Sequence, residues 1–349
     1  MKASVFYKHG PPEVLEFDDV EEPVVSNNEV LVKVKACSIN HLDLWIRRGK
    51  TGYSDIPFPH ILGCDISGII DDSNGSPEIN NGDEVIVSPG IGCGKCNHCL
   101  QGNDNFCRQY SIIGGWDRKG GYAEFASVPL QNIIPKPSNL SFEESASLPL
   151  TFLTAWNMLV KRAQIKTGEN VLIVGGSSGV GSAAIQIAKL FNCFVFATAG
   201  TDNKLNKMKS LGADLVINHT SDDFGKIVRE NTNRNGVDVV FEHVGAVTWP
   251  KSIDSLTHGG RLITCGTTTG SETDFDIRLL YRRQLSLMGS FMGSKGDLLH
   301  LLKFIDSGKL KPVLGNTFPL KDASKAHELI ENRQHFGKVV LKVLSLIHI

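Results

Sequence analysis

Hydrophobic and polar positions follow two different patterns along the chain, and the change comes near residue 150. In the N-terminal part, residues 29–36 alternate between apolar and polar, as a strand with one buried face does. Residues 82–87 predict a turn that leads into another strand, and Pro-rich turns such as 57–59 separate the segments. This part therefore predicts an antiparallel, turn-rich domain.

Beyond residue 150, short apolar runs alternate with helical patterns. The predicted strands are 170–174, 194–198, 214–217, 237–241, 261–265 and 285–289, and the predicted helices are 180–191, 202–211 and 224–230. Fully apolar strands that alternate with helices are typical of a parallel sheet covered on both faces. We therefore predict an α/β protein with a doubly wound domain over 153–290, and a final strand at 336–343 that rejoins the first domain.

Charge and hydropathy narrow the classes of partner. The 349 residues include 36 Lys+Arg and 37 Asp+Glu, which gives a formal charge of −1. Nucleic acids and anionic membranes attract concentrated positive charge, so neither is expected as the main partner. The sequence has no apolar run long enough for a membrane span, and its N-terminus does not resemble a signal peptide. We therefore expect a cytoplasmic protein.

A glycine-rich turn follows the first apolar strand and leads into a helix. Gly176 is predicted to allow the tight turn, and Gly181 to allow close packing of helix on strand. Ser178 stands where such turns usually have their middle glycine. The free N–H groups at the start of the helix suit a pyrophosphate, so the turn predicts a dinucleotide site. Its candidate residues are Gly176, Ser177, Ser178, Gly179, Val180 and Gly181.

The end of the second apolar strand indicates which dinucleotide binds. NAD sites usually have an acidic residue there, on the ribose 2′-hydroxyl. Here the corresponding residue is Ala199, followed by Thr201, which offers a hydrogen bond, and Lys204, which offers a positive charge. This pattern favours NADP(H), although Asp202 lies close by.

Four of the eight cysteines are clustered in a short glycine-containing segment. Cys93, Cys96, Cys99 and Cys107 have a spacing that can close a tetrahedron around Zn²⁺. Four protein ligands leave no open position, so we predict one structural zinc per chain.

Together these features resemble the medium-chain dehydrogenase/reductase superfamily, and the resemblance extends from the opening Met-Lys-Ala-Ser-Val-Phe through Gly120-Gly121-Tyr122-Ala123-Glu124 to the closing Gly-Lys-Val-Val-Leu. It implies a GroES-like antiparallel β catalytic domain over 1–152 and 291–349, with the zinc lobe at about 92–108. It also implies a Rossmann NADP(H)-binding domain over 153–290. Family members pair into homodimers edge to edge, here near 285–292, and some form homotetramers.

The alcohol-dehydrogenase members carry a second, catalytic zinc, and here two of its three ligand positions hold unsuitable residues. These two positions are Asn40 and Leu150, and Gly63-Cys64-Asp65 stands for the usual Gly-His-Glu. Asn40 in this position resembles the zinc-independent quinone oxidoreductase branch. A displaced zinc site built from Cys37, His41, Cys64 or Asp65 remains an alternative.

Without a Lewis acid, alcohol oxidation is harder than reduction of an activated C=C bond. Hydrogen bonds can stabilise the enolate that this reduction forms. The predicted function is therefore NADPH-dependent reduction of an enone, enal or quinone. By resemblance, the catalytic candidates are Asn40, His41, Asp43 and Tyr53. The further cofactor candidates are Thr154, Thr201, Lys204, His219, Val244, Cys265, Gly266, Thr267, Ser290, Phe291 and Lys338, the last placed near the pyrophosphate. The alternatives are a zinc-dependent alcohol or polyol dehydrogenase with displaced ligands, and a non-enzymatic NADPH-binding protein.

Overall fold

A computed structural model describes residues 1–50 and 56–343. The chain divides into two compact units. Unit 1 comprises Met1–Leu150 and Ser294–Ile349, and unit 2 comprises Thr151–Gly293. Unit 1 thus collects segments from both ends of the sequence.

The elements follow one another in three blocks along the chain. The first contains β1 (Lys2–Phe6), β2 (Glu16–Asp19), β3 (Glu29–Ser38), α1 (His41–Arg47), β4 (His60–Ile61), β5 (Asp65–Asp72), β6 (Glu84–Val87), β7 (Gly90–Ile91), α2 (Asn97–Leu100), β8 (Ser111–Ile112), β9 (Phe125–Pro129), β10 (Ile133–Pro135), α3 (Phe142–Ala146) and α4 (Pro149–Trp156). The second contains β11 (Asn170–Ile173), α5 (Gly179–Leu190), β12 (Phe194–Ala199), α6 (Asp202–Ser210), β13 (Leu215–Asn218), α7 (Phe224–Glu230), β14 (Val237–Glu242), α8 (Trp249–Asp254), β15 (Leu256–Thr264), α9 (Ile277–Arg282) and β16 (Ser286–Gly289). The third contains α10 (Lys295–Asp306), β17 (Leu314–Pro319), α11 (Ala323–Glu331) and β18 (Lys338–Lys342).

Unit 1 is built around a mainly antiparallel sheet, as predicted. In its described part the strand order is β10-β6-β5-β3-β18-β17, with β9 also paired to β3. Along β3, buried and half-buried positions alternate until its last residues are all buried. These last residues pair on both sides, since Ser38 lies opposite Asp65 of β5 and opposite Val340 of β18. The C-terminal strand therefore rejoins the first domain at the buried end of β3.

Unit 2 is a parallel sheet covered by helices, which confirms the doubly wound prediction. Its residues are all described, and its six strands run in the order β13-β12-β11-β14-β15-β16. Every neighbouring pair is parallel. This order is that of dinucleotide-binding sheets, in which ligands bind outside the carboxyl ends of the strands. Among the described residues, no helix has the length and apolarity that crossing a bilayer requires.

The structure also contains elements that the sequence pattern did not predict. A π-helix follows α4 over Asn157–Arg162, and β15 begins at Leu256, five residues before the predicted strand. The first half of β15 is mostly polar or glycine, and only Leu262 and Ile263, in its second half, form a continuous hydrophobic stretch. The hydrophobic pattern therefore does not reveal where this strand begins.

Because the core of unit 1 contains the buried His60, we expect the stability of this unit to fall at acidic pH. The ring is 1% exposed and packs edge-on against Phe6 at 5.6 Å between ring centroids. Burial lowers the pKa of His60 to about 4 from 6.5. The unfolded state therefore takes up the proton first, and stability that is present above pH 6.5 is lost as the pH falls toward 4. By pH 5 the loss amounts to about 2 kcal/mol.

The measurement is the urea midpoint of unfolding at pH 7.5 and 5 for wild type and His60→Phe. We expect the variant to show the smaller drop, whereas His258→Phe, at an exposed position of β15, should drop as wild type does. If the urea midpoint drops equally in all three proteins, protonation of His60 does not cause the loss of stability.

Candidate functional site

The predicted phosphate loop lies at the carboxyl end of β11. Gly175 has a φ of +74°, so it is the turn glycine, and the prediction that Gly176 has this role was wrong. A Cβ on Gly176 would lie 2.7 Å from Sδ of Met208 and 3.1 Å from Cβ of Ala197. Gly176 is therefore required by packing against β12 and α6.

Ser178 ends the loop and caps α5. Its Oγ accepts a hydrogen bond from N–H of Gly181 at 2.9 Å and donates one to the carbonyl of Gly175 at 3.0 Å. A Cβ on Gly181 would lie 2.4 Å from that carbonyl oxygen. The structure thus gives Ser178 a capping role and gives Gly181 the close packing that was predicted. The start of α5, with Ser177, Gly179 and Val180, presents the positive end of a 12-residue helix.

Two further strands hold this loop in place. N–H of Gly175 donates to Oγ1 of Thr198 at 3.1 Å, and N–H of Gly176 donates to the carbonyl of Thr198 at 2.9 Å. Nε2 of His243, just beyond β14, lies 3.3 Å from Oγ of Ser178. Burial lowers the pKa of His243 to about 4, so its ring is neutral at pH 7.

Most of the other cofactor candidates in unit 2 follow the carboxyl ends of its strands. Each comes directly or shortly after a parallel strand: Thr201 and Lys204 after β12, His219 after β13, Val244 after β14, Cys265, Gly266 and Thr267 after β15, and Ser290 and Phe291 after β16. Thr154 lies on α4 and is buried. Carboxyl ends of parallel strands meet at one edge of a sheet, so the strand-end candidates share the edge of the phosphate loop.

Several contacts fix these loops. Oγ of Ser290 accepts from Nδ2 of Asn157, on the π-helix, at 2.8 Å. The carbonyl of Val244 accepts from both N–H and Oγ1 of Thr269 at 2.8 Å. Burial raises the pKa of the Cys265 thiol to about 12, so it remains protonated. No sequence pattern indicated Asn157 or Thr269, because their partners lie 133 and 25 residues away along the chain.

At the end of β12 no carboxylate occupies the position of Ala199. The nearest one, Asp202, begins α6, and its Oδ1 accepts from Nδ2 of Asn218 at 3.1 Å. Nδ1 of His219, which follows β13, lies 3.1 Å from Oγ1 of Thr198 on β12.

In unit 1 the candidate residues form a buried polar cluster around Asp65. Oδ2 of Asp65 accepts from Oγ of Ser38 at 3.1 Å, from Nδ2 of Asn40 at 2.9 Å and from Nζ of Lys338 at 3.1 Å. Its Oδ1 accepts from N–H of Leu150 at 2.8 Å. Asp65 is fully buried, whereas the sequence suggests it only as a ligand of a displaced zinc site.

Asn40 and Lys338 are committed to this cluster. Nδ2 of Asn40 lies 3.4 Å from Sγ of Cys64, in addition to its bond to Asp65, and its Oδ1 accepts from Nζ of Lys338 at 2.6 Å. The ammonium also donates to the carbonyl of Ile39 at 2.8 Å, so its three N–H bonds have three acceptors. The structure therefore places Lys338, which was predicted near the pyrophosphate, in this cluster, and it places Asn40, which was predicted as a catalytic residue, against Asp65.

Asp43 stabilises the fold around α1. Its Oδ2 accepts from the backbone N–H of Asn40 at 2.7 Å and from the hydroxyl of Tyr122 at 3.3 Å, and its Oδ1 accepts from N–H of Gly63. Burial raises the pKa of Asp43 to about 7. These bonds assign Asp43 a structural role in place of the predicted catalytic one.

A chain of buried polar side chains continues from Tyr122 toward α11. The Tyr122 hydroxyl lies 3.1 Å from Nε2 of His327, whose Nδ1 lies 3.0 Å from Nη1 of Arg47. Arg47 also pairs with Glu331. Because arginine only donates, Nδ1 of His327 must accept, and Nε2 therefore carries the proton. The sequence did not predict this chain, since its members come from three separate segments: α1, the residues before β9, and α11.

The remaining catalytic candidates lie nearby or outside the described residues. His41 is the first residue of α1, and its ring centroid is 6.3 Å from that of Trp45. Tyr53 lies outside the described residues. Cys37, His41, Cys64 and Asp65 do not form a metal-ligand cluster: within 1–50 and 56–343, the cysteine lobe is the one group of three or more such donors.

The four cysteines of the lobe do converge. Their Sγ atoms all lie within 4.8 Å of one another, with 3.6 Å between Cys96 and Cys99 and 4.0 Å between Cys93 and Cys99. Four thiolates around Zn²⁺ would be about 3.8 Å apart, given Zn–S distances of about 2.3 Å. Backbone N–H groups of Cys93 and Gln109 point at Sγ of Cys107 at 3.5 and 3.3 Å. The residues present therefore fit a tetrahedral metal ion.

Comparison with known proteins agrees with both units. Residues 26–138 match the family described as alcohol dehydrogenase GroES-like domain, and residues 179–307 match the family described as zinc-binding dehydrogenase. The quinone oxidoreductase of Mus musculus is 32% identical over 352 residues, covering 98% of this chain and 97% of that protein. The NAD-dependent alcohol dehydrogenase of Sulfolobus acidocaldarius is 31% identical, covering 98% and 100%.

Solved structures give the same result. One named NAD-dependent alcohol dehydrogenase is 46% identical, with a TM-score of 0.95, and covers 99% of this chain and 100% of that chain. A crotonyl-CoA carboxylase/reductase in complex with NADP is 28% identical, with a TM-score of 0.90, and covers 98% of this chain and 94% of that chain. With its antiparallel unit, its parallel dinucleotide-binding sheet and these relatives, the chain belongs to the medium-chain dehydrogenase/reductase superfamily and is an oxidoreductase.

Proposed function

We propose that this enzyme reduces an activated C=C bond, in an α,β-unsaturated carbonyl compound or a quinone, with NADPH and without a catalytic zinc. One observation carries the proposal. Two of the three expected positions for catalytic zinc ligands hold Asn40 and Leu150, which are poor ligands for zinc, and the amide of Asn40 already binds Asp65 and Lys338. Relatives named quinone oxidoreductase and crotonyl-CoA reductase support this choice.

The chemistry divides between the cofactor and the chain. Reduced nicotinamide, when bound, supplies a hydride for the β-carbon of the substrate. The chain must then stabilise the enolate oxygen with a hydrogen-bond donor and deliver a proton to the α-carbon. Because the amide of Asn40 is already engaged, His41 and Tyr53 are the candidates for these two tasks.

We propose NADP(H) as the cofactor, held by the phosphate loop and by Thr201 and Lys204. The absence of a carboxylate at Ala199 supports this choice, and so does the bound NADP of the crotonyl-CoA carboxylase/reductase structure. Two relatives have names that specify NAD, so the ratio of the Kd values for NADH and NADPH is the test. We expect NADPH to bind about tenfold more tightly or better, since the 2′-phosphate adds charge-assisted hydrogen bonds. Tighter binding of NADH would overturn the cofactor assignment.

We also propose that the cysteine lobe holds one structural zinc, and that the chain forms a homodimer or homotetramer in the cytoplasm. β16 is an edge strand of its sheet, which suits the edge-to-edge pairing of the family.

The decisive experiment combines metal content with turnover. We expect one zinc per chain by elemental analysis, and oxidation of NADPH with 2-cyclohexenone, crotonaldehyde or a benzoquinone that survives incubation with a chelator. Two zincs, with alcohol-driven reduction of NAD(P)⁺ that the chelator abolishes, would establish the alternative of an alcohol or polyol dehydrogenase. Tight NADPH binding without any turnover would instead indicate a non-enzymatic NADPH-binding protein.

A matched pair of variants tests the proton donor. Tyr53→Phe is expected to lower kcat about 100-fold while the Kd for NADPH stays within a factor of two, because general acid catalysis contributes about 10²- to 10⁴-fold. Tyr281→Phe, at a largely exposed tyrosine of α9, should behave as wild type. An unchanged kcat in Tyr53→Phe would remove Tyr53 from the mechanism.

A further inference from the structure

The hydroxyl of Ser178, which stands in place of the middle glycine of the phosphate loop, has three partners within unit 2. Its Oγ donates to the carbonyl of Gly175 at 3.0 Å, accepts from N–H of Gly181 at 2.9 Å, and lies 3.3 Å from Nε2 of His243. A hydroxyl has one hydrogen and two lone pairs. If Nε2 of His243 carries the proton of the neutral ring, all three are used, and the hydroxyl has nothing left to offer a ligand.

The ring of His243 is fixed against the phosphate loop. A Cβ on Gly175 would lie 3.0 Å from both Cε1 and Nε2 of His243, so this edge of the ring contacts the turn glycine as well as the serine. The ring also packs edge-on against Phe241, with 5.9 Å between the ring centroids and 70° between the ring planes. His243 therefore contacts both the residue that makes the turn and the residue that caps α5.

The buried carboxylate of Glu242 fixes the backbone that carries His243. Glu242 is fully buried at the end of β14. Its Oε2 accepts from N–H of Val244 at 3.1 Å and from N–H of Gly245 at 3.0 Å, and its Oε1 accepts from Oγ1 of Thr248 at 2.5 Å. Hydrogen bonds to a charged group are stronger than those between neutral groups. The turn directly after β14 is therefore held in one conformation, and the imidazole is presented to the loop from a rigid support.

We propose that His243 is a positioning residue of the cofactor site, which donates from Nε2 to Oγ of Ser178 and keeps that hydroxyl turned into the loop. A pyrophosphate then meets only backbone N–H groups at this position, as it does in loops that have a glycine there. The inference rests on the proposed function in taking the phosphate loop as the cofactor site. Because NADH and NADPH share the pyrophosphate, His243 should affect the binding of both equally.

The first experiment determines which ring nitrogen carries the proton. Wild-type protein without cofactor is labelled with ¹⁵N-histidine, and the signals of His243 are assigned by their absence from the spectrum of His243→Gln. At pH 7 we expect the NMR shift of a protonated nitrogen for Nε2 and that of an unprotonated nitrogen for Nδ1. A proton on Nδ1, or rapid exchange between the two tautomers, would overturn the proposal.

The second experiment measures the Kd values of NADPH and NADH. We expect His243→Ala to raise both by the same factor, about 3- to 10-fold, which is the effect of one lost hydrogen bond. His243→Gln retains an N–H donor at about the distance of Nε2 and should restore both Kd values to within about threefold of wild type. His258→Ala, at an exposed position of β15, is the control and should bind as wild type does. An effect of His243→Ala on NADPH alone would place His243 at the 2′-phosphate and contradict the proposed role.

A double-mutant cycle separates the hydrogen bond from simple packing of the ring on Gly175. Ser178→Gly restores the usual glycine and should change the Kd for NADPH by no more than about twofold, because glycine is also a good N-cap residue. We expect Ser178→Gly with His243→Ala to bind NADPH as Ser178→Gly alone does, since there is no longer a hydroxyl for His243 to hold. If the two Kd factors multiply instead, His243 acts through packing alone and the proposal is wrong.

These measurements distinguish a failure of this inference from a failure of the proposed function. The spectrum and the Kd values need no substrate, so they test the role of His243 even if no enone or quinone is reduced. If neither His243→Ala nor Gly181→Ala changes the Kd values, the cofactor binds elsewhere and both assignments fall. If only Gly181→Ala raises them, the loop is the cofactor site and the role of His243 is wrong. With an active enzyme, His243→Ala should raise the KM for NADPH and leave kcat within about twofold of wild type.

Discussion

Cys99→Ser is expected to lose the zinc and to melt about 10 °C or more below wild type. Structural zinc contributes many kcal/mol of folding free energy, and each kcal/mol shifts the Tm of a domain of this size by about 2–4 °C. The measurements are zinc per chain by elemental analysis, thermal unfolding, and limited proteolysis with mapping of the cleavage sites. We expect new cleavage between residues 92 and 108.

The lobe depends on its metal because it has little else to stabilise it. α2 is four residues long, none of them buried. Leu100 and Phe106 are 72% and 50% exposed, so they add little to a hydrophobic core. A segment without a core is ordered by cross-links, here four thiolates on one ion.

Cys193→Ser provides the control. This thiol is buried outside the lobe, with Sγ 3.5 Å from the carbonyl of Lys166. The variant should retain one zinc per chain and resist cleavage at residues 92–108. Retention of zinc in Cys99→Ser, or loss of zinc in Cys193→Ser, would refute the assignment of the lobe.

Gly181→Ala is expected to raise the Kd for NADPH about 10- to 100-fold. Its Cβ would lie 2.4 Å from the carbonyl oxygen of Gly175 and 2.8 Å from Cα of Gly176. Both are backbone atoms, so the phosphate loop itself has to move, at a cost of about 1–3 kcal/mol. The Kd is measured by the fluorescence of NADPH on titration with protein.

Gly296→Ala is the matched substitution, in the first turn of α10. Its Cβ would meet no heavy atom closer than Oγ of Ser294 at 3.8 Å. We expect wild-type affinity and equal or slightly higher stability, because alanine has the higher helix propensity. If Gly181→Ala also binds NADPH as wild type does, the cofactor lies elsewhere and the phosphate-loop assignment is wrong.

The polar chain of unit 1 shows how far the cluster depends on tertiary structure. Tyr122 and His327 are 205 residues apart, and Arg47 and His327 are 280 apart. Burial lowers the pKa of His327 well below its ordinary value and raises that of Tyr122. Tyr122 and His327 therefore stay neutral near pH 7, and Asp43 is held by a hydrogen bond from the neutral Tyr122 hydroxyl.

The sequence by itself determined the features that depend on short-range pattern. Alternating and continuous apolar runs predicted the two kinds of sheet, because a half-buried strand and a fully buried strand require different residues. The cysteine spacing predicted the zinc lobe, and the strand–turn–helix context predicted the phosphate loop. The sequence also showed that Asn40 and Leu150, at two of the expected metal positions, are unsuitable as zinc ligands, because this depends only on the type of residue at each position.

Only the tertiary structure showed which side chains surround Asn40. Lys338 meets Asn40 and Asp65 across 298 and 273 residues, through the register of β18 and β5 on β3. The turn glycine also became known only from the structure. Gly175 and Gly176 are adjacent glycines, and only the backbone dihedral angle φ shows that Gly175 makes the turn. The physical reason is common to these cases. A buried polar group accepts any partner that the fold brings within hydrogen-bond distance, and strand pairing brings together residues whose separation in the chain carries no signal.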